Sequence, residues 1–343
     1  MQKVSLVGAR GYTGLETAKL LLTYERRRGG IRFERAYASG GFRLSAELLD
    51  SRAEDVRCGN EEELLGDNSD IVFLATPVEV SLRWAPIFAA RGQRVIDLSG
   101  AFRLKRNSYE EWYGVKHSSP EWLAAAEYGL CPFVGPAKVS TRLIANPGCY
   151  ATAISMALIP LLRAGIVSTD HLVIDAKSGT TGAGRKASET LLFSEVDEEC
   201  LPYRTGKHQH WPEIQEAVFD HAGVEIDFHF ATHLLPVKTG IVASIYAATI
   251  TSKVHSIREI EDVYHEAFRN YPLVRSGRQI SRLARLQNVR GTPFVHLSYE
   301  WIAGKLYLFS CIDNLMKGAA SQAIENMNRL LDRAPGEGLI EIV

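Results

Sequence analysis

Two hydrophobic rhythms divide this chain. Through its first 145 residues, short apolar runs alternate with stretches whose apolar residues recur every three or four positions. The runs Val4-Ser5-Leu6-Val7, Ile31 to Ala38, Ile71 to Ala75 and Arg94 to Ser99 have the length and content of buried strands. Between them, Leu15, Ala18, Leu21 and Leu22 form a helical stripe, and Val78 to Ala90 predicts another helix. Strands alternating with helices predict a doubly wound α/β unit with a parallel sheet. Ligands of such sheets bind beyond the carboxyl ends of the strands, which nominates Thr76, Pro77, Ser99 and Arg103. Residues 104–138, rich in Trp, Tyr and Pro, break the rhythm and predict a long irregular excursion.

From about residue 150 the pattern changes to longer strands with fewer helices. Leu172 to Ala176, Gly240 to Ile250, Pro293 to Trp301 and Lys305 to Ile312 read as strands of an antiparallel sheet, with Gly304 at one turn. The chain closes on Ala320, Ala323, Ile324, Met327, Leu330 and Leu331, one apolar face of a helix able to return to the first unit.

The first strand runs straight into Gly8-Ala9-Arg10-Gly11-Tyr12-Thr13-Gly14, and a helix follows. Strand, glycine turn and helix are the context of a dinucleotide-binding turn, where glycines let the backbone approach a pyrophosphate at the helix N-terminus. The spacing is GxxGxxG, not the commoner GxGxxG, and a bare glycine turn is the alternative. The second strand ends at Ser39-Gly40-Gly41 with Arg43 nearby, and it lacks the carboxylate that binds the ribose 2′-hydroxyl in NAD sites. A hydroxyl and a cation there suit a 2′-phosphate, so NADP(H) is the expected cofactor.

Cys149 lies in Asn146-Pro147-Gly148-Cys149-Tyr150, between the strand end Arg142-Leu143-Ile144-Ala145 and a helix carrying Ala153, Ile154, Ala157, Leu158, Leu161 and Leu162. A cysteine at a helix mouth faces unpaired N–H groups and the positive end of the dipole, which favour the nucleophilic thiolate. The alternative is a small buried residue at a helix start. Downstream, the glycine-rich basic run Ser178-Gly179-Thr180-Thr181-Gly182 to Lys186 suits an anion, a cofactor or a plain turn. His208 and His210, two apart, are acid/base candidates; no third ligand at recognisable spacing makes them a metal site. His233 sits in an apolar run and reads as structural.

At 343 residues the chain is long for one core, so two domains are expected. A formal net charge of −1 offers no nucleic-acid footprint. The five cysteines (Cys58, Cys131, Cys149, Cys200 and Cys311) are odd in number and contain no CxxC pair, against a disulfide framework and for a reducing compartment. The N-terminal apolar run is too short for a signal peptide and no segment suits a membrane span, so a cytoplasmic protein is expected.

Seven ordered stretches together resemble N-acetyl-γ-glutamyl-phosphate reductase of arginine biosynthesis: GARGYTG at 8, SGAFRL at 99, NPGCYAT at 146, SGTTGAGRK at 178, KHQHWPEI at 207, HLLPVKTGI at 233 and DNLMKGAASQAIENMN at 313. Ala101, Ala151 and Gln209 depart from the family's usual residues. The resemblance implies a Rossmann-type NADP-binding domain over 1–148, joined by a C-terminal helix at 314–343. It also implies an α+β catalytic domain over 149–313, like that of glyceraldehyde-phosphate and aspartate-semialdehyde dehydrogenases.

The implied activity is NADPH-dependent reductive dephosphorylation of N-acetylglutamyl 5-phosphate to the semialdehyde, through a thioester on Cys149, by a homo-oligomer (dimer or tetramer). His208 exchanges the proton, His210 is a second candidate or a substrate contact, and Arg103 and Asn146 bind substrate. Gly8, Arg10, Gly11, Tyr12, Thr13, Gly14, Ser39, Thr76, Pro77, Ser178, Gly179 and Asn314 bind the cofactor, Asn314 near the nicotinamide amide. The rivals are a lysine-pathway reductase acting on a carrier-linked aminoadipyl phosphate, a cofactor-free cysteine hydrolase using Cys149 and His208, and a cofactor-sensing regulator without catalysis.

Overall fold

The computed structural model describes residues 1–340 and divides into two compact units. The first comprises Met1–Gly148 and residues from Ala319 onward; the second is Cys149–Gly318.

In the first unit, β1 (Gln2–Val7), α1 (Tyr12–Arg28), β2 (Ile31–Tyr37), α2 (Leu44–Leu48), β3 (Arg57–Gly59), β4 (Ile71–Leu74), α3 (Val78–Ala90) and β5 (Arg94–Asp97) follow in order. After them come α4 (Arg106–Tyr113), α5 (Pro120–Ala125), β6 (Glu127–Tyr128) and β7 (Leu143–Ala145). The seven strands form one parallel sheet in the order β3-β2-β1-β4-β5-β7-β6. Its central strands are buried along their length, as β4 shows with Ile71, Val72, Phe73 and Leu74 each fully covered. Val72, Leu74, Val95 and Leu143 pack on Trp84, Ala85 and Phe88 of α3 to make one core.

The segment 104–138 corrects the expectation of an irregular excursion. It holds two short helices and an edge strand, and its Tyr109 is fully buried and stacks on Tyr113 at 4.5 Å between ring centroids. One buried residue on an otherwise polar helix leaves too little periodicity to read.

The second unit contains α6 (Cys149–Arg163), β8 (Leu172–Ser178), α7 (Phe193–Val196), β9 (Leu201–Pro202), α8 (His210–Ala222), β10 (Phe228–Leu234) and β11 (Ile241–Ala248). It continues with α9 (Arg258–Phe268), β12 (Val274–Gly277), α10 (Ile280–Leu283), β13 (Val295–Ile302) and β14 (Lys305–Ile312). The sheet runs β12-β13-β14-β11-β8-β10-β9. It is antiparallel through β13, β14, β11 and β8, while β8 and β10 pair in parallel. Helix α6 is buried on every side from Tyr150 to Leu162, packing against β11, β14, α8 and α9. A helix with no polar face needs such a central position.

The closing helix α11 (Ser321–Leu330) belongs to the first unit, where Asn328 Oδ1 accepts from the Tyr24 hydroxyl at 2.7 Å. The division falls at Ala319 and not at the expected residue 314, because residues 313–318 are bonded into the second unit through the side chains of Asp313 and Asn314. The last three residues of the expected 314–343 segment lie outside the described residues.

Candidate active site

The candidate residues gather in two clusters, one in each unit. In the first, Gly8 has φ of +85°, and a Cβ there would lie 2.2 Å from the Ala75 carbonyl oxygen. A Cβ on Gly14 would come 2.1 Å from the Gly8 oxygen. These two glycines are demanded by the chain's own close approaches. Gly11 differs: its Cβ would meet only the Gly8 oxygen, at 3.4 Å. Gly11 caps α1 without a side-chain hydrogen bond, and the first turn, Tyr12, Thr13 and Gly14, has no acidic residue. Uncapped amides and open space at Gly11 fit a pyrophosphate. Arg10 pairs with Glu47 at 2.8 Å, and Ser39 and Arg43 are exposed beyond β2.

The carboxyl ends of the neighbouring strands hold a polar network. Thr76 and Ser81 hydroxyls lie 2.8 Å apart, and exposed Pro77 starts α3. Asp97 is fully buried and accepts from both the N–H (3.1 Å) and hydroxyl (2.8 Å) of Ser99. Burial pushes its carboxyl above the usual range, against the Ser81 and Ser99 hydrogen bonds and the Arg103 charge. Arg103 donates from Nε to the Asn146 carbonyl (2.8 Å) and from Nη2 to the Leu98 carbonyl (2.7 Å). Main-chain oxygens therefore brace Arg103.

Asn146, expected to bind substrate, makes internal hydrogen bonds in this structure. Its side chain is fully buried, donating to the Ala319 carbonyl (3.1 Å) and accepting from Asn326 (3.0 Å). It ties β7 to the returning chain, and its carbonyl, not its amide, serves Arg103.

In the second unit, Cys149 is the first residue of α6 and is partly exposed. Tyr150 accepts a hydrogen bond from the Tyr203 hydroxyl at 2.9 Å. Burial raises both phenols, Tyr203 to about 12, and the Cys149 charge acts on each in the same direction. The His208 ring is walled by Tyr150, Phe230 and Tyr203, with ring centroids at 5.2, 5.5 and 5.7 Å. That apolar wall pushes its pKa down to about 2, helped by the His210 and Arg204 charges and opposed by Glu213. The His210 N–H donates to His208 Nδ1 at 3.1 Å. His210 Nε2 lies 3.8 Å from buried Glu213.

Ser178, Gly179 and Asn314 also lie in this unit, and all three are buried. The Ser178 hydroxyl bonds the Gly179 carbonyl at 3.0 Å, and Gly179 leaves no room for a Cβ beside Val237 and Lys238 oxygens at 2.8 Å. Asn314, expected at a nicotinamide, accepts from Gly240 N–H (2.7 Å) and donates to Thr181 Oγ1 (3.1 Å). Tyr203 and Asp97 were not legible as site residues. Tyr203 is 53 residues from Tyr150 in sequence, and Asp97 reads as an ordinary strand end. His233, as expected, belongs to the sheet, with Nδ1 3.0 Å from Asp175. Among the described residues no group of three His, Cys, Asp or Glu forms a metal site, and no helix is long and apolar enough to cross a membrane.

Family models for the semialdehyde dehydrogenase NAD binding domain and dimerisation domain match residues 3–136 and 149–314. Aspartate semialdehyde dehydrogenase II of Vibrio cholerae shares the fold over 97% of this chain and 98% of its own, with TM-score 0.71 at 18% identity. The enzyme of Candida albicans does so over 100% of each chain, with TM-score 0.65 at 15% identity. Fold and matched domains define an oxidoreductase of the semialdehyde dehydrogenase class. N-acetyl-gamma-glutamyl-phosphate reductases of Desulfotalea psychrophila and Geobacillus stearothermophilus are 38% and 37% identical, over 100% and 99% of this chain and 99% and 98% of theirs. The chain belongs to the N-acetyl-gamma-glutamyl-phosphate reductase family.

Proposed function

We propose that this enzyme reduces N-acetylglutamyl 5-phosphate to N-acetylglutamate 5-semialdehyde with NADPH, releasing phosphate, in arginine biosynthesis. The observation that carries the mechanism is Cys149 at the head of α6 in one cluster with Tyr150, Tyr203 and His208.

The Cys149 thiolate attacks the acyl carbonyl carbon, the carbon–oxygen bond to phosphate breaks, and a thioester remains. Arg103, its fork already oriented by two carbonyls, holds the substrate phosphate. The dinucleotide, when bound, supplies the hydride that reduces the thioester carbon. His208 then donates from Nε2 to the oxyanion of the resulting hemithioacetal, together with first-turn amides of α6. Collapse of that adduct releases the aldehyde and restores the thiolate.

Gly8, Gly11 and Gly14, with Arg10, Tyr12, Thr13, Thr76 and Pro77, hold the dinucleotide; Ser39 and Arg43 take its 2′-phosphate. The reading includes a homodimer through the outer face of the second sheet, where Val173 and Tyr246 are more than a third exposed. None of the five cysteines is in a disulfide, and the reading places the enzyme in a reducing cytoplasm.

NADPH oxidation with free N-acetylglutamyl phosphate, set against carrier-linked aminoadipyl phosphate, tests the substrate. Turnover of the free substrate alone is expected. Preference for the carrier-linked compound overturns the assignment.

A further inference from the structure

We infer that Gly318 is a positioning residue that seats the Cys149 side chain; the inference rests on Cys149 being the nucleophile. A Cβ built on Gly318 would lie 2.7 Å from the Cβ and 3.2 Å from the Cα of Cys149, with Ile312 Cδ1 at 3.3 Å. Carbon atoms in contact settle at about 3.5–4.0 Å. Rotating the thiol does not relieve the overlap, because the Cα and Cβ positions are set by the main chain. Room appears only if the first turn of α6 moves.

Backbone conformation does not explain this glycine. Fourteen glycines have positive φ, and Gly318 is not among them. Alanine fits its helical conformation and is favoured over glycine in a helix by about 1 kcal/mol. Alanine fills the next two positions, Ala319 and Ala320. What remains is space for Cys149.

The turn that presents Gly318 is itself held in place. The Asp313 carboxylate accepts from the N–H groups of Leu315 (2.8 Å), Met316 (3.2 Å) and Gly291 (2.8 Å). The Gly318 N–H then bonds the Asp313 carbonyl, five residues back, at 3.0 Å, at the start of a π-helical stretch over Met316–Ala320. Such wide turns are rare and concentrate at functional sites. Lys317, fully buried, donates to the Tyr271 hydroxyl and anchors the same turn. Gly318 is thus pressed against the Cβ of Cys149 by a supported structure, and no side chain intervenes between them.

The test is Gly318→Ala, made in the wild-type chain and in Cys149→Gly, which lacks the colliding Cβ. In the wild-type background kcat should fall about a hundredfold, the loss typical of a 1 Å misplacement, while the KM for NADPH holds. The midpoint of iodoacetamide alkylation at the Cys149 peptide, followed from about pH 6 to 9, should move up as the thiolate leaves its amides. The Tm loss caused by Gly318→Ala should shrink in the Cys149→Gly background, where the shortest contact is gone.

Unchanged kcat with an unchanged alkylation profile overturns the inference, as does an equal Tm loss in both backgrounds. If Gly318→Ala folds only when paired with Cys149→Gly, the contact is supported; if it folds in neither, the inference falls. The alkylation and Tm readouts need no substrate. Failure of the nucleophile reading itself would show separately, as turnover by Cys149→Ser.

Discussion

The main-chain N–H of His210 donates to Nδ1 of His208 at 3.1 Å, and that bond decides which ring nitrogen carries hydrogen. An N–H can only donate, so Nδ1 is an acceptor and the neutral ring bears its hydrogen on Nε2. Protonating Nδ1 would set two donors against each other inside an aromatic wall. In the proposed mechanism this bond suits His208 to donate an N–H to a developing oxyanion, where the family resemblance implies a proton exchanger. His208→Gln keeps an N–H donor without a titratable ring, whereas His208→Ala keeps neither. We expect His208→Ala to lose about a hundredfold or more in kcat and His208→Gln to lose far less. Equal losses in the two variants would restore the acid/base role.

The same burial has a consequence for stability. The folded pKa of His208 lies near 2, below its ordinary value of 6.5, so the unfolded chain binds a proton between those values that the folded ring refuses. Its contribution is fully present above about pH 6.5 and declines as the pH falls, by up to about 1.4 kcal/mol per unit. Urea unfolding of wild type and His208→Gln at pH 7 and pH 5 should show the smaller pH effect in the variant. An identical pH dependence would mean that the ring is not desolvated.

The three glycines of the first turn should separate into two kinds. Gly8→Ala and Gly14→Ala place a Cβ within 2.2 Å of main-chain oxygen, and should lower the Tm or abolish folding. Gly11→Ala meets only one oxygen at 3.4 Å, so its Tm should hold while the Kd for NADPH rises roughly tenfold. Tryptophan fluorescence quenching and thermal melts read the two effects independently. A Gly11→Ala chain with wild-type affinity would remove that turn from the cofactor site.

Arg103 is held by the carbonyls of Leu98 and Asn146, a geometry that a lysine ammonium does not reproduce. Arg103→Lys should raise the KM for the acyl phosphate by roughly ten- to a hundredfold, the value of a charge-assisted hydrogen bond, with NADPH affinity unchanged. An unaltered KM would take Arg103 out of substrate binding.

Features close together in sequence were legible. The glycine turn at Gly8 and the strand-to-helix junction at Cys149 each declare themselves within a dozen residues, and both fold as their patterns predict. Features made by tertiary packing were not. Tyr203 meets Tyr150 from 53 residues away, and nothing local marks it. Asn146 stands in the most informative motif yet spends its amide on Ala319 and Asn326, because a buried strand end must satisfy its polar groups internally. Gly318 lies in a segment whose apolar spacing announces only a helix, while its importance comes from a cysteine 169 residues earlier.

The most direct test of the nucleophile is to mix the enzyme with N-acetylglutamyl phosphate in the absence of NADPH, quench in acid and map the peptides by mass. A burst of phosphate matching the enzyme concentration, with an N-acetylglutamyl group on Cys149 and no such group in Cys149→Ala, is the predicted result. Phosphate release only when NADPH is present, or acylation of a different residue, would contradict it.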